Sequence, residues 1–228
     1  MVYFYQNEIR RFFDKYIQLF FGDYRRNLLK YKKILRERNA ILKEKNPSKK
    51  EIKIWDDFFI KYSGKIISDR KQFVKKLNGS INKYYQKIFS EKFDIKIDYR
   101  TNFEKEKFRK NLNRDIKKQT TQIGPHRDKY KIIFNNKQLK ASASQGQMKS
   151  FIMSFILVLT EKLSKNGSED VVLLMDDVFA ELDLERKNKI FKIINDFDLQ
   201  CFFTVVEKDF FENKIENFIK IDDGRIIQ

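Results

Sequence analysis

VVLLMDDVFAELD, residues 171–183, is the stretch from which the fold of this chain is best predicted. Its five leading apolar residues predict a buried strand, and they run directly into two adjacent aspartates, Asp176 and Asp177. A buried strand that ends in carboxylates usually delivers them to a cation or a reacting group, because unpaired buried charges are costly. The alternative is that the doublet caps the next helix or ends a sheet. The stretch therefore indicates either a metal and phosphate site or a structural cap.

The residues that follow this stretch predict a parallel sheet in an α/β fold. A helix over residues 184–195 and the strand QCFFTVV, residues 200–206, complete a β-α-β unit, which implies parallel strands in a covered sheet. Other predicted elements are strands at FDIKIDY (residues 93–99) and KYKIIF (129–134), a short helix over 103–117, a buried helix from about Gln145 and a hairpin with Asp-Gly at its turn at FIKIDDGRII (218–227).

The first half of the chain carries all of the excess positive charge. Residues 1–120 hold 33 Lys and Arg against 15 Asp and Glu, a net charge of +18, whereas residues 121–228 hold 16 against 17, a net charge of −1. A lysine-rich codon bias accounts for part of this excess but not for its asymmetry. We expect that the basic half lies against a polyanion, with nucleic acid as the first candidate.

The basic half also carries two apolar stripes with helical spacing. One stripe runs through residues 9–35, where Gly22 permits a bend, and the other runs through residues 55–88. The polar break at residues 46–50 separates them, and its Pro47 cannot continue the first helix. Two striped helices joined by a short turn cover each other only as an antiparallel hairpin or short coiled coil. We interpret the aromatic stripes as packing rather than as a platform for stacked bases.

Composition restricts the class of protein. A chain of 228 residues with 41% hydrophobic content can bury a core. Its single cysteine, Cys201, excludes an internal disulfide framework. The longest apolar run, residues 151–159, is far shorter than the roughly 20 residues that a membrane-spanning helix needs. We expect a soluble cytoplasmic protein with no membrane partner.

A second motif makes the aspartate doublet more specific as an indication of a phosphate site. SASQGQ, residues 142–147, places a hydroxyl and a glycine just before the long buried helix, whose free N–H groups and dipole can hold a phosphate. The doublet and AELD follow about thirty residues later. This order resembles the second half of an ABC-type ATPase head, with its signature loop and Walker B strand. Together with GPHRD at residues 124–128 and RERNAILK at 36–43, it is similar to the RecF family of bacterial DNA replication and repair ATPases.

The resemblance implies a division into two parts, an arm and a lobe. Residues 1–118 would form a basic helical arm, a hairpin with its turn near residues 46–50 and a strand near 93–99, and residues 119–228 the second lobe of the ATPase head. The implied nucleotide-binding residues, which would act on ATP held by a second subunit, are Ser144, Gln145, Gly146 and Gln147.

The resemblance also implies roles for the acidic residues. Asp176 would hold Mg²⁺, because a hard cation that bridges two phosphates favours carboxylate oxygens. Asp177 would be the catalytic carboxylate that orients the attacking water. ABC heads usually carry glutamate at this position, so its aspartate implies slow hydrolysis. Asp183 would contact the partner subunit in a homodimer that forms on ATP binding.

The other implied partners are DNA, with a gapped or single-strand/double-strand junction substrate, and further recombination mediator proteins. The DNA-binding candidates, which crowd one end of the first predicted hairpin helix, are Lys30, Lys32, Lys33, Arg36 and Arg38. His126, the only histidine, is expected to be structural. Arg127 either meets phosphate or pairs with Asp128, and the sequence leaves both open.

One departure from the family pattern is large. A P-loop requires Gly, four residues and then Gly-Lys-Ser/Thr, and the only Gly-Lys pair here, Gly64-Lys65, is followed by Ile66. We expect that the Walker A lobe is missing from a truncated chain, which alone would not bind ATP, so its status as an enzyme stays open. The alternative function is a non-enzymatic basic helical protein that binds DNA or a partner and keeps the lobe as a scaffold.

Overall fold

The structure is a computed structural model, and it forms two compact units, residues 1–163 and 164–228. The residues that it describes are 6–89, 94–138, 145–165, 171–177, 179, 182–197, 199–205, 211, 214–215 and 217–227. The units divide the chain at a different place from the arm and lobe boundary suggested near residue 118. The reason is that antiparallel strands over residues 95–100 and 129–134 and the Arg70–Asp128 ion pair join the two sides of that position within the first unit.

Four helices form most of the basic half: α1 (Gln6–Ile17), α2 (Tyr24–Leu42), α3 (Lys49–Asn78) and α4 (Ile81–Phe89). The first stripe is thus two helices, which separate at the turn that contains Gly22, and the second breaks at Gly79. The α3 helix begins where the Ser48 hydroxyl accepts a hydrogen bond from the Glu51 N–H at 3.3 Å.

The α2 and α3 helices form the predicted antiparallel hairpin. Partners run in opposite order along the two helices: Arg38 bonds Asp56 near the turn, and Tyr24 bonds Arg70 far from it. Their aromatic side chains pack against neighbouring rings, as the sequence interpretation expected. Tyr31 and Phe59, for example, lie across the hairpin with ring centroids 5.2 Å apart.

A small antiparallel sheet joins this hairpin in the first unit. Its strands are β1 (Ile95–Arg100), β2 (Lys129–Phe134) and β3 (Lys137–Gln138), in that order. Between β1 and β2 lie α5 (Lys105–Lys110), α6 (Leu112–Lys118) and a 3-10 turn (Pro125–Arg127), so the short helix predicted over 103–117 is two helices. The α7 helix (Gln145–Lys165) begins at the predicted residue.

An aromatic cluster forms part of the core of the first unit. Phe13 stacks on Tyr130 with ring centroids 4.3 Å apart, and it meets Phe155 of α7 at 5.9 Å. The residues predicted as core on α7, Phe151, Phe155 and Leu159, are buried. Met153, Leu157 and Val158 on other faces of α7 are buried too, which explains why its sequence is apolar nearly all round.

The second unit contains the predicted β-α-β unit and hairpin. The β4 strand (Val172–Asp176) pairs in parallel with β5 (Gln200–Thr204), and α8 (Leu184–Asn195) connects them. The β6 (Lys220–Asp222) and β7 (Arg225–Ile227) strands pair antiparallel around Asp223 and Gly224, both with positive φ. Among the described residues, no helix has the length and apolar character to cross a membrane.

Candidate functional site

The aspartate doublet lies at the carboxyl end of the parallel strand pair. Asp176 is the last residue of β4, and its register partner on β5 is Thr204. The Thr204 hydroxyl donates a hydrogen bond to Asp176 Oδ1 at 2.5 Å, and it accepts one from the Asp177 backbone N–H at 2.9 Å. Asp177 adopts a left-handed backbone conformation with φ of 48°. One hydroxyl therefore ties both residues of the doublet to the neighbouring strand.

Both carboxylates of the doublet are open to solvent. Asp176 and Asp177 are exposed, and across the described part of the chain neither has an ion pair with Lys, Arg or His. A carboxylate oxygen beside a threonine hydroxyl is the hard-oxygen chemistry that Mg²⁺ prefers. The arrangement is suited to a cation at the carboxyl edge of the sheet, where ligands of open α/β sheets bind.

Sequence reasoning missed Thr204. The available signal was topological: a parallel β-α-β unit brings the last residue of its second strand beside the last residue of its first. In this chain that position is a threonine, whose hydroxyl both donates and accepts.

The helix cap that the sequence left as an alternative exists, but a different residue makes it. Asp183 precedes α8, and its Oδ1 accepts a hydrogen bond from the Arg186 N–H at 2.8 Å. Asp183 Oδ2 lies 3.4 Å from the Arg186 guanidinium. The doublet is thus not the cap of α8, and Asp183 has a local structural role whether or not it contacts a partner.

The signature loop is described only in part. Ser144 lies outside the described residues, and Gln145, Gly146 and Gln147 form the first turn of α7 by their backbone. The start of a 21-residue helix at this point agrees with the predicted placement of the loop before a long helix. The phosphate-binding role of these residues stays a prediction.

Four of the five DNA-binding candidates lie on the solvent side of α2. Tyr31 and Ile34 of the same helix are buried. The four exposed candidates, hereafter the α2 basic face, are Lys30, Lys32, Lys33 and Arg36.

Arg38 is the exception, and its assignment to DNA binding is corrected. It is completely buried, and its guanidinium pairs with Asp56 and Asp115 at 2.8 Å each and donates to the Thr121 hydroxyl at 2.7 Å. Residue 38 falls seven positions after Tyr31, on the buried stripe of α2. The helical spacing from Tyr31 could have predicted that Arg38 is buried. The sequence-based prediction instead grouped Arg38 with the surface lysines because of its charge.

The GPHRD segment, residues 124–128, contacts the α2–α3 hairpin through His126. His126 Nδ1 lies 2.6 Å from the Tyr31 hydroxyl and its Nε2 lies 2.9 Å from the Thr121 carbonyl. Burial is the main reason that the pKa of His126 is lowered to about 4, so the ring is neutral near pH 7. This environment agrees with the structural role expected of the only histidine.

Asp128 pairs with a different arginine from the one next to it in the sequence. Its Oδ2 accepts a hydrogen bond from Arg70 at 2.9 Å and another from the Tyr99 hydroxyl. Arg127 is exposed and has no such bond to Asp128. Of the two roles that the sequence left open for Arg127, pairing with Asp128 is therefore excluded.

The amino-acid sequence is similar to those of RecF proteins from several bacteria. The DNA replication and repair protein RecF of Thermoanaerobacter pseudethanolicus is 33% identical over 233 residues, which cover 96% of this chain and 63% of that protein. RecF of Clostridium beijerinckii is 31% identical over 96% of the chain. The chain belongs with the RecF proteins. No protein-family model matches it.

Solved RecF structures share its fold. RecF with ATP, described as a recombination mediator of the RecFOR pathway, matches 98% of the chain with a TM-score of 0.85 and 29% identity. A second structure of the same mediator, described as RecF-ATPrS, matches with a TM-score of 0.79. These matches confirm the predicted ABC-type α/β fold with a helical arm.

The chain spans less than two thirds of these RecF proteins. It covers 62% to 64% of the length of the curated relatives and solved structures named above. Within this RecF-like sequence no segment fits the P-loop pattern. What the relatives bind and do as whole proteins therefore bears on this chain only as a proposal.

Proposed function

We propose that this chain provides the DNA-binding arm and the Walker B part of a RecF-type ATPase, which acts in DNA replication and recombination repair in the cytoplasm. The observation that carries the proposal is the exposed doublet of Asp176 and Asp177 at the carboxyl edge of parallel strands, tethered by Thr204. Exposed carboxylates at that edge favour a bound cation and phosphate over a structural role.

In this proposal the two aspartates have different tasks. Asp176 would hold Mg²⁺ directly or through water, and the hydrogen bond from Thr204 orients its carboxylate. Asp177 positions the water that attacks the terminal phosphate and accepts its proton. Mg²⁺, when bound with ATP, neutralises charge on the phosphates. Asp177 follows the last residue of β4 and has a left-handed backbone conformation, so it does not continue the strand.

The remaining parts of the proposed site come from other polypeptide segments. Residues 144–147 would contact the ATP of a second subunit, and Asp183 would lie at the same interface while it caps α8. Because the sequence holds no P-loop, a region that carries one must supply the amides and the lysine that hold the phosphates. Further recombination mediators are the proposed partners, since the solved relatives are described within the RecFOR pathway.

The nucleotide part of the proposal is tested by complementation. The chain is mixed with the P-loop region of a RecF relative, and binding of a fluorescent ATP analogue and phosphate release are measured with and without Mg²⁺. Asp177→Asn should spare binding but lower hydrolysis by about 10²-fold or more, because the amide lacks the basic oxygen. Asp176→Asn should weaken mainly the Mg²⁺-dependent binding.

The matched control is Asp196→Asn, which changes an exposed aspartate at the end of α8. It should leave both measurements unchanged. The chain without the P-loop region should show no hydrolysis. Turnover by the isolated chain, or equal effects of all three substitutions, would contradict the proposed nucleotide site and favour the non-enzymatic alternative.

The DNA part of the proposal is tested on the chain itself. Binding to a labelled duplex should be nearly independent of sequence, and log K should fall by about 0.9 per phosphate contact for each tenfold rise in salt. Reversal of Lys30, Lys32 and Lys33 to glutamate should flatten this slope. The control reverses Lys49 and Lys50, which are exposed at the hairpin turn. Equal effects of the two sets, or no salt dependence, would contradict a role for the α2 basic face.

A further inference from the structure

We propose that Arg127 is a contact to the phosphate backbone of DNA, presented by a rigid turn. The inference rests on the DNA binding proposed above and adds a second contact region, in residues that the α2 basic face does not include. Its basis is the contrast between Arg127 and the residues on either side of it.

The turn begins at a glycine that cannot be replaced without strain. Gly124 has φ of +141°, a conformation that other residues rarely adopt. A Cβ atom at this position would lie 2.6 Å from the Phe59 ring and 3.0 Å from the Tyr31 hydroxyl. The backbone therefore lies directly against the hairpin, and the turn has little freedom to move.

Each remaining neighbour of Arg127 is fixed by hydrogen bonds to other segments. The Pro125 carbonyl accepts a hydrogen bond from Arg70 at 2.8 Å, and His126 is held by Tyr31 and the Thr121 carbonyl. The side chain of Asp128 is bound by Arg70, and its carbonyl accepts a hydrogen bond from Arg10 at 2.7 Å. Bonds on both sides thus hold the backbone of Arg127 in one conformation.

Arg127 itself points to solvent from this fixed backbone. It is exposed, and its guanidinium forms no ion pair or hydrogen bond with the residues that the structure describes. A guanidinium donates two parallel hydrogen bonds to phosphate. Because its backbone is already ordered, binding would cost less conformational entropy than contact by a side chain on a mobile loop. These properties suit a phosphate contact.

The adjacent strands place two more cations at this end of the sheet. Arg100 of β1 is the register partner of Lys129 of β2, and both are exposed. Like charges directly opposite each other on neighbouring strands are destabilising, and the Arg100 bond to Asp98 at 2.7 Å offsets only one of them. An extended anion that passes Arg127 and Lys129 would relieve this repulsion. A nucleic-acid backbone has the required length and spacing of charge.

The test measures salt-dependent binding of the chain to a fluorescein-labelled duplex by anisotropy. Arg127→Ala should weaken binding severalfold at low salt and reduce the slope of log K against log salt by about 0.9, the value for one phosphate. Arg127→Lys should keep the slope close to that of the parent. The matched control, Arg109→Ala, removes an exposed arginine that already pairs with Asp57 at 3.2 Å, and it should leave the slope unchanged.

The possible results separate this inference from the proposed function. Absence of DNA binding by the parent chain would contradict both the proposed DNA binding and the role of Arg127. Binding by the parent with an unchanged slope in Arg127→Ala, or with an equal loss in Arg109→Ala, would overturn the inference alone. A lowered melting temperature in Arg127→Ala would make the residue structural and also overturn it. The inference would also be overturned if Arg127→Ala lost ATP-analogue binding in the complemented protein but kept DNA binding, because the bound anion would then be the nucleotide.

Discussion

The buried carboxylates of the first unit and the carboxylates of the doublet are held in opposite ways. Asp115 and Asp128 are completely buried, and each is paired with a buried arginine, Arg38 or Arg70, at 2.8 Å and 2.9 Å. Asp176 and Asp177 are exposed, and Thr204 bonds the Asp176 carboxylate but only the backbone N–H of Asp177. Buried, paired carboxylates hold segments together, whereas exposed ones without a cationic partner are available to a ligand.

The two arginines join parts of the chain that are distant in sequence. Arg70 of α3 bonds Asp14 of α1, Tyr24 of α2 and Asp128 before β2. Burial raises the pKa of Asp128 above its ordinary value, and the neighbouring guanidinium of Arg70 opposes this effect without cancelling it. Loss of one partner leaves the other charge buried and unpaired, which is the main energetic consequence of such pairs.

The largest expected effect follows from breaking this network. Arg70→Met should lower the free energy of unfolding by about 3–5 kcal/mol, because Asp14, Tyr24, Asp128 and the Pro125 carbonyl lose a buried partner. Arg109→Met, which removes an exposed pair with Asp57, should cost less than about 1 kcal/mol. Urea unfolding followed by circular dichroism measures both. Similar losses from the two changes would show that the buried pairs are not what stabilises the first unit.

The turn at Gly124 gives a second, smaller effect. Gly124→Ala should destabilise the protein by about 1–3 kcal/mol, because the new methyl group meets the Phe59 ring in a strained backbone. Gly64→Ala is the control, since Gly64 lies inside α3 with nothing within 4 Å of a built Cβ. It should stabilise the protein by about 0.5–1 kcal/mol through helix propensity. Thermal unfolding distinguishes the two, and stabilisation by both changes would refute the tight fit of the turn.

The half-buried His126 makes the stability of the first unit sensitive to pH. The pKa of His126 is about 4 in the folded protein and about 6.5 when unfolded, so the unfolded chain takes up the proton first as pH falls. Stability is full above pH 6.5 and is lost below it, by about 2 kcal/mol between pH 7 and pH 5.

The measurement is the difference between the parent and His126→Asn over this range. The buried aspartates are present in both proteins, so their titration largely cancels. The variant should be less stable at pH 7 but lose less stability toward pH 5. Parallel curves for the two proteins would contradict a neutral, buried imidazole.

The smallest expected effect belongs to the doublet. Asp177→Asn should change the free energy of unfolding by no more than about 0.5 kcal/mol, since the side chain is exposed and asparagine tolerates the left-handed backbone. Asp128→Asn should cost at least about 1.5 kcal/mol, because it weakens a buried bond to a charged group. A larger loss from Asp177→Asn than from Asp128→Asn would reverse the comparison and make the doublet structural.

Local patterns in the sequence were sufficient for much of the fold. The apolar run before Asp176, the helix over residues 184–195 and the Asp-Gly turn were predicted because each depends on periodicity or turn chemistry within a short segment. Near Gly22 the sequence predicted only a bend, because a bend and a complete separation of α1 from α2 share the same apolar stripe. The resemblance to RecF was likewise predicted from short motifs whose residues are close in sequence.

The sequence by itself determined the order of the elements, the asymmetric charge and the position of the doublet. Only the tertiary structure decided which polar residues bind each other. Arg38 faces acids 18 and 77 positions away, Asp128 bonds Arg70 rather than Arg127, and Thr204 reaches the doublet across a parallel strand pair. The physical reason is that a charged side chain is bound or free according to its burial and its partners, which packing between distant segments creates.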